Sequence, residues 1–300
     1  MDLNPKVSIK LGAAVVAIAS VVGCGSGGGA GQSFMSGTPG TTSSAPQASS
    51  NAGTPAASSN PGTTTTAQSS TPAAAAPAAS APAGTVLAEI QSQSGWQTCG
   101  GCGNVGGTGQ GPDYHMTQGI SSPSLSGSAA DFYLNGGPAY AGGYYFVEQP
   151  TLPNPVTYLQ YDLDLYVPAQ YVDAPQAIEF EVQQTVNGNT YNYAWQADYA
   201  SNSWRVFNFT SKNWEPTGIP LQRFAPDTWH HISSVFHAAG TQAVHDSLTV
   251  DGQTTNVNIA HQATQTGTRL EFTNGFQVDL NSASTPYHVY VDNMKITVAD

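Results

Sequence analysis

The chain has 300 residues, of which 19 are acidic and 7 basic, for a formal net charge of −12. Nucleic acid is excluded as a partner, because phosphate binding needs clusters of Lys and Arg that this sequence lacks. A surface poor in Lys suits neutral partners, such as uncharged polysaccharides, or cations.

The chain opens with Lys6 and Lys10, an apolar run from Leu11 to Val22, and then Val21-Val22-Gly23-Cys24. A basic start, a short greasy core and small residues at the cut make a secretory signal over 1–23. The apolar run falls short of the roughly 20 residues a spanning helix needs. The four residues ending at Cys24 resemble a bacterial lipobox, which implies cleavage before Cys24, acylation of its thiol, and an exported protein anchored to the cell envelope through lipid. Cleavage takes Asp2, Lys6 and Lys10 with it and leaves the mature chain near −13.

Residues 24–85 are Gly, Ser, Thr, Ala and Pro almost throughout, and Phe34 and Met35 are the only large apolar side chains before Gly84. Such a segment cannot bury enough surface to offset its ordering entropy, so a disordered tether is predicted. About 60 flexible residues span roughly 40–45 Å.

A single domain is predicted over 86–300. Near its start stand Cys99 and Cys102, separated by two glycines. In an oxidising compartment a small disulfide loop is the favoured reading. A redox role would need a helix start, yet Gly103 to Gly107 continues as loop. A zinc site would need a second ligand pair.

Further on, Tyr158 to Val167 alternates apolar and polar residues with period two, as a half-buried strand does. Similar runs are Ala177 to Gln184, Tyr191 to Tyr199, Trp204 to Phe209, His230 to His237, Ser247 to Val250, Gly275 to Leu280 and His288 to Val298. Asn187-Gly188-Asn189, Pro216-Thr217-Gly218 and Asp251-Gly252 read as turns. No stretch carries a helical apolar stripe. The expected fold is all-β, a sandwich or jelly roll.

Asp227-Thr228-Trp229-His230-His231-Ile232, with Ser247-Leu248-Thr249-Val250-Asp251-Gly252, resembles a motif pair of laminin-G-like, concanavalin A-like jelly rolls. The stretch 95–300 is also similar to a group of exported bacterial proteins with that fold and no assigned activity, through Ser122 to Ala129, Gln176 to Glu181, Thr217 to Pro220 and Gly275 to Asp279. The resemblance implies a concanavalin A-like jelly roll. Trp229 and His231 read as packing or strand-capping residues rather than catalytic ones.

The candidate chemistry lies in Glu179-Phe180-Glu181-Val182-Gln183-Gln184. Ile178, Phe180 and Val182 alternate toward the core, so Glu179 and Glu181 share the opposite face, roughly 6–7 Å apart. The segment is similar to the E-x-D-x-x-E strand of laminarinase-type retaining glucanases, whose first Glu is the nucleophile and whose last is the general acid. By that resemblance Glu179 is the nucleophile, and Gln184 stands at the acid position, on the same face only if a bulge intervenes. Glutamine cannot protonate a leaving oxygen, so a retaining mechanism on this strand alone is disabled. Glu179 and Glu181 could themselves form a pair, or Asp198 or Asp279 could supply the acid from another strand. Alternatively, both glutamates only accept hydrogen bonds from sugar hydroxyls.

In the strand after the Asn187 turn, Tyr191, Tyr193, Trp195 and Tyr199 fall on one side and Asn192, Gln196 and Asp198 on the other, with Trp195 expected in the core. Tyr144, Tyr145 and Trp214 are expected as exposed loop rings able to stack on sugars. The resemblance to jelly rolls also implies a structural calcium, with Asp292 as a first candidate ligand. The combined expectation is a membrane-tethered lipoprotein that binds polysaccharide through Glu179, Glu181, Gln184, Asp198 and these rings. The alternatives are a glycoside hydrolase or polysaccharide lyase, and a non-carbohydrate adhesion or envelope-assembly module.

Overall fold

The computed structural model describes residues 84–98, 113–137, 141–265, 270–281 and 285–299. The predicted signal, Cys24, the predicted tether up to residue 83, and Cys99 and Cys102 lie outside the described residues. The strands, in chain order, are β1 (Thr85–Leu87), β2 (Gln97–Thr98), β3 (Asp113–Ile120), β4 (Ala129–Asn135), β5 (Gly142–Glu148), β6 (Tyr158–Tyr166), β7 (Pro175–Val186) and β8 (Asn189–Asp198). They continue with β9 (Ser203–Asn208), β10 (Asn213–Pro220), β11 (Trp229–Ala239), β12 (Gln242–Val250), β13 (Gln253–Gln262), β14 (Thr264–Gln265), β15 (Glu271–Leu280) and β16 (Tyr287–Ala299).

They form two antiparallel sheets packed as a sandwich. Sheet A runs β13-β12-β11-β6-β16-β4-β3, with β1 also paired to β16. Sheet B runs β10-β9-β8-β7-β15-β5-β2, with β14 also paired to β8. The chain is therefore all-β, as its period-two alternation implies, and each predicted run coincides with a strand.

Two of the predicted turns are two-residue hairpins. Asn187 and Gly188 (φ 52° and 78°) join Val186 to its partner Asn189, and Asp251 and Gly252 (φ 48° and 78°) join Val250 to Gln253. Positive φ at both centres matches the right-handed twist of the flanking strands, which is why Asn-Gly and Asp-Gly occur there. The third predicted turn is not one. Pro216-Thr217-Gly218 lies inside β10, where the pairing with β9 slips between Pro216 and Pro220 and the Thr217 hydroxyl donates to the Trp204 carbonyl at 2.8 Å. Gly218, at φ 82°, takes up the slip in the strand.

The core lies between the sheets. Phe132 of sheet A meets Phe276 of sheet B at 4.5 Å between ring centroids, and Phe236 meets Tyr193 at 5.1 Å. Ile178, Phe180 and Val182 face it from β7, and Tyr191, Tyr193 and Trp195 from β8. The expectation for these two strands therefore holds, and their alternate residues are turned away from sheet A. Trp229 and His231 lie on the outer face of sheet A, where Trp229 packs on Tyr166 at 5.3 Å and His231 Nδ1 meets Asp164 at 3.1 Å.

Candidate functional site

The outer face of sheet B is where the chemistry-bearing residues converge. Strand register puts Gly142, Asp279, Ala177, Asp198 and Ser203 in one row across five strands. The next row is Tyr144, Gln277, Glu179, Gln196 and Arg205, and the third begins Phe146, Gly275, Glu181 and Ala194. Thr273, Gln183 and Asn192 make a fourth. Every Asp, Glu, Asn and Gln named in these rows is buried, and Glu148, registered to Thr273 at the end of the fourth row, is exposed.

Two carboxyl groups stand together. Glu179 and Asp279 lie on neighbouring strands of this face, close enough for each to shift the other's titration. Burial, then the nearby charge of Asp279, raises Glu179 well above the usual carboxylate range. Burial raises Asp279 to about 7, with Glu179 and Gln277 opposing the rise. Gln196 Nε2 donates to Glu179 Oε1 at 2.6 Å, and Gln277 Nε2 donates to Asp279 Oδ1 at 2.9 Å. Two like charges this close cannot both ionise at low cost in a poorly solvated place, so the pair holds a proton near neutrality.

Glu181 has a different partner. The Tyr144 hydroxyl donates to its Oε1. Burial pushes Glu181 up to about 8 despite that bond, and burial together with Glu181 pushes the Tyr144 phenol well above its ordinary value. A Cβ at Gly275 would lie 2.6 Å from the Tyr144 hydroxyl and 2.9 Å from Glu181 Cγ. Glycine there opens the path by which Tyr144 crosses to Glu181.

Asp198 is held differently again. It accepts from Arg205 at 3.1 Å, from Ser201 at 2.7 Å and from the Ala200 amide at 2.9 Å. Arg205, the cation of the registered rows, also donates to the Trp214 carbonyl at 2.8 Å. Asp198 is thus a paired carboxylate beside the Glu179–Asp279 couple.

Aromatic side chains border this polar field. Tyr144 and Phe146 stack at 5.9 Å on the β5 side, and Phe207 and Trp214 meet edge to face at 5.1 Å on the β9–β10 side. In between, five side-chain atoms lack a hydrogen-bond partner: both polar atoms of Asn192, Gln196 Oε1, Gln277 Oε1 and Asp279 Oδ2.

Several expected roles are corrected. Gln184 is not on this face. β7 keeps an unbroken register with β8 from Ala177 to Val186, so no bulge intervenes and Gln184 points inward. Its amide is fully buried, donating to the Asn154 carbonyl at 2.7 Å and accepting from the Val156 amide at 3.1 Å. The likeness to the glucanase strand therefore ends at Glu181. Tyr144, Tyr145 and Trp214 are not exposed loop rings; all three are buried strand residues. Tyr145 belongs to the core, where it packs edge to face on Phe132 at 5.0 Å, while Tyr144 and Trp214 remain at the borders of the polar face.

Asp292 does not suit calcium. Its Oδ2 accepts from the Ser124 hydroxyl and from the amides of Leu125 and Ser126, and its Oδ1 from Gln91, the Ser126 hydroxyl and the Asn293 amide. Calcium needs a shell of oxygen acceptors, and Asp292 is surrounded by donors. These bonds outweigh burial and hold its pKa down to about 2. Its role is to fasten residues 124–126 to β16.

Gln277, Gln196, Asn192 and Gly275 join the site although the sequence reading gave them no ligand role. Gln277 carried a local signal, since it alternates with Phe276 and Val278.

No protein-family model matches the chain, and no curated protein matches it. Solved structures do resemble it. An endo-β-1,4-glucuronan lyase from the fungus Trichoderma reesei is 11% identical, over 71% of this chain and 95% of its own, with a TM-score of 0.44. The alginate lyase Aly36B is 13% identical over 59% and 82%, with a TM-score of 0.41. The carbohydrate-binding module CBM66 from Bacillus subtilis is 11% identical over 67% and 94%, with a TM-score of 0.33. At these scores the likenesses carry no functional argument, and function is argued from the site itself.

Proposed function

We propose that the outer face of sheet B binds a neutral polysaccharide, in a protein exported and tethered to the envelope through an acylated Cys24. The observation that carries the ligand class is the set of unpartnered amide atoms of Asn192, Gln196 and Gln277 on one registered face, bordered by rings on both sides. A buried polar atom without a partner costs free energy; these atoms have essentially no accessible surface, so a hydroxyl-rich ligand satisfies them only once the groups covering them move aside. Rings at the borders suit the C–H faces of sugars. Electrostatics favour a neutral chain over a uronate. The face carries six carboxyl groups, counting Glu148 and Glu271 along its edge, and its cation Arg205 is already paired with Asp198. A lyase also needs a base and a group that neutralises the substrate carboxylate. Tyr144 is a poor base, because ionising it would place a phenolate beside Glu181. Calorimetry of the mature chain against a panel of neutral and uronate oligosaccharides tests the reading. Binding confined to uronates, or lost to none of Asn192→Ala, Gln196→Ala and Gln277→Ala, would overturn it.

One observation favours glycoside hydrolysis as a second reading. Asp279 stands beside Glu179 on the neighbouring strand, and burial raises both carboxyl groups, so one of the two can serve as a proton donor near neutrality. With Glu181 raised to about 8 as well, the face holds carboxylic acids and a carboxylate together near neutral pH, which is what general acid and base roles require. Reducing-sugar release by the unmodified chain, abolished in Glu179→Gln, would establish this activity over binding alone.

A further inference from the structure

On the opposite side of the sandwich, the outer face of sheet A carries a continuous ribbon of six rings. His115 of β3 meets Tyr133 of β4 at 4.6 Å between centroids, and Tyr133 meets His288 of β16 at 4.9 Å. His288 stacks at 6.3 Å on Tyr290, two residues along the same strand. Tyr290 meets Tyr166 of β6 at 6.1 Å, and Tyr166 meets Trp229 of β11 at 5.3 Å. Cross-strand register brings them together: His115 with Tyr133, Tyr133 with His288, Tyr290 with Tyr166, and Tyr166 with Trp229.

These rings are not needed to close the core. The residues alternating with them, Phe132, Val289, Val291 and Leu165, already fill the inner face of sheet A. His115 is exposed and the other five are partly exposed. Each carries a polar edge, and none is Phe. This combination of open ring surface and wet edge favours a partner presenting C–H faces and hydroxyls together.

Charge narrows the partner further. The charged groups around the ribbon are matched locally: His288 with Asp131 at 2.9 Å, His231 with Asp164 at 3.1 Å, and Lys295 with Asp162 at 3.5 Å. The Tyr166 hydroxyl donates to Asp227 at 3.1 Å. An anionic partner would find no unpaired cation among these groups and would meet Asp227, whose bonds come from a hydroxyl and an amide rather than from a cation. Adjacent strands lie about 4.8 Å apart, close to the advance of a glycan chain per pyranose unit. Five strands therefore offer a track for several consecutive sugars running across the sheet.

We propose that this ribbon is a second glycan-binding surface, which takes an extended neutral polysaccharide lying across β3, β4, β16, β6 and β11. It is separate from the polar face of sheet B and does not depend on that face binding anything. Its ligand is a polymer rather than a short oligosaccharide, because each ring adds a small increment and the increments sum only along a chain spanning several of them.

The test is native electrophoresis of the full chain through gels containing hydroxyethylcellulose, laminarin or glucomannan. At least one polymer should retard the chain. The double variant Trp229→Ala/Tyr290→Ala should raise the apparent Kd for that polymer at least about tenfold, which is about 1.4 kcal/mol. Trp229→Phe, which keeps a ring, and Thr241→Ala, in the exposed turn between β11 and β12 away from both faces, should each stay within about threefold. Should the double variant unfold, the readout is acrylamide quenching of the unmodified chain against Trp229→Phe. Protection of Trp229 by the polymer then supports the ribbon, and equal quenching with and without polymer overturns it. Unchanged retardation of a folded double variant overturns the proposal, as does retardation lost only in Gln196→Ala. A double variant that instead converts a dimer to a monomer during sedimentation assigns the ribbon to self-association and also overturns it.

Discussion

Tyr144 reaches Glu181 by passing over the bare backbone of Gly275, so a tyrosine and a glutamate 37 residues apart share one hydrogen bond on the outer face of sheet B. The contact needs three strands in fixed register, β5, β15 and β7, and a residue without a side chain between the partners.

Gly275→Ala should break this contact. The added methyl would lie 2.6 Å from the Tyr144 hydroxyl, so one partner must move, at a cost of about 1–3 kcal/mol for overpacking. Urea unfolding measures the loss. Tyr144→Phe removes only the hydroxyl, and because that bond lowers the Glu181 pKa, the variant should titrate Glu181 above its present value of about 8. Infrared titration of the carboxyl stretch reads the shift, and an unchanged midpoint would refute the bond.

Stability should favour mildly acid over alkaline solution. Glu181 and Asp279 have folded values of about 8 and about 7, raised above ordinary values of 4.5 and 3.8. The native state therefore holds their protons more tightly, and stability is lost as pH rises from the ordinary values through the folded ones. Buried His245 works in the opposite direction. Its pKa is lowered by burial from 6.5 to about 3, so stability is lost as pH falls below 6.5. The carboxyl groups are the more numerous, and the chain should be at least about 2 kcal/mol more stable at about pH 5 than at about pH 8.5. Equal urea midpoints at the two pH values would contradict the buried carboxyl cluster.

Gln184→Glu should damage the fold without creating hydrolysis. The amide that donates to the Asn154 carbonyl would become an acid facing that carbonyl in a fully buried place. The expected cost is about 1–3 kcal/mol, or more if the group ionises. A gain in reducing-sugar release at unchanged stability would mean that position 184 lines the polar face after all.

Asp292→Ala should loosen residues 124–126, which hang on its carboxylate through four hydrogen bonds. The cost is about 1–3 kcal/mol, seen as a lower Tm and faster amide exchange at Leu125 and Ser126. Calcium or a chelator should leave the Tm of the unmodified chain unchanged; a calcium-dependent rise lost in Asp292→Ala would reinstate a metal role.

If Cys24 carries the proposed lipid, Cys24→Ser should release the chain from membranes. Detergent partitioning of cell fractions measures it, and continued membrane association after signal removal would contradict the lipid anchor.

The fold class and the inward face of β6 to β9, β11, β12, β15 and β16 were legible in the sequence, whereas β3, β4, β5 and β10 were not read as strands. Ile178-Glu179-Phe180-Glu181-Val182 announces which side of β7 is wet, and Asn187-Gly188 announces where it turns back. Alternation and two-residue turns are local properties, set by the pleat and by which residues tolerate positive φ. β13 escaped notice because it is a mostly exposed strand at the edge of sheet A with little apolar rhythm to reveal it. The site itself was only half legible. Glu179 and Glu181 stand out along the chain, but their working partners, Asp279 and Tyr144, come from strands separated from them by up to a hundred residues. Nothing local to β7 selects those neighbours, because strand order follows from how two sheets close over one core. The same closure decided Gln184. Whether β7 bulged or ran straight depended on unbroken pairing with β8, and straight pairing turned that glutamine inward, away from the chemistry its sequence position suggested.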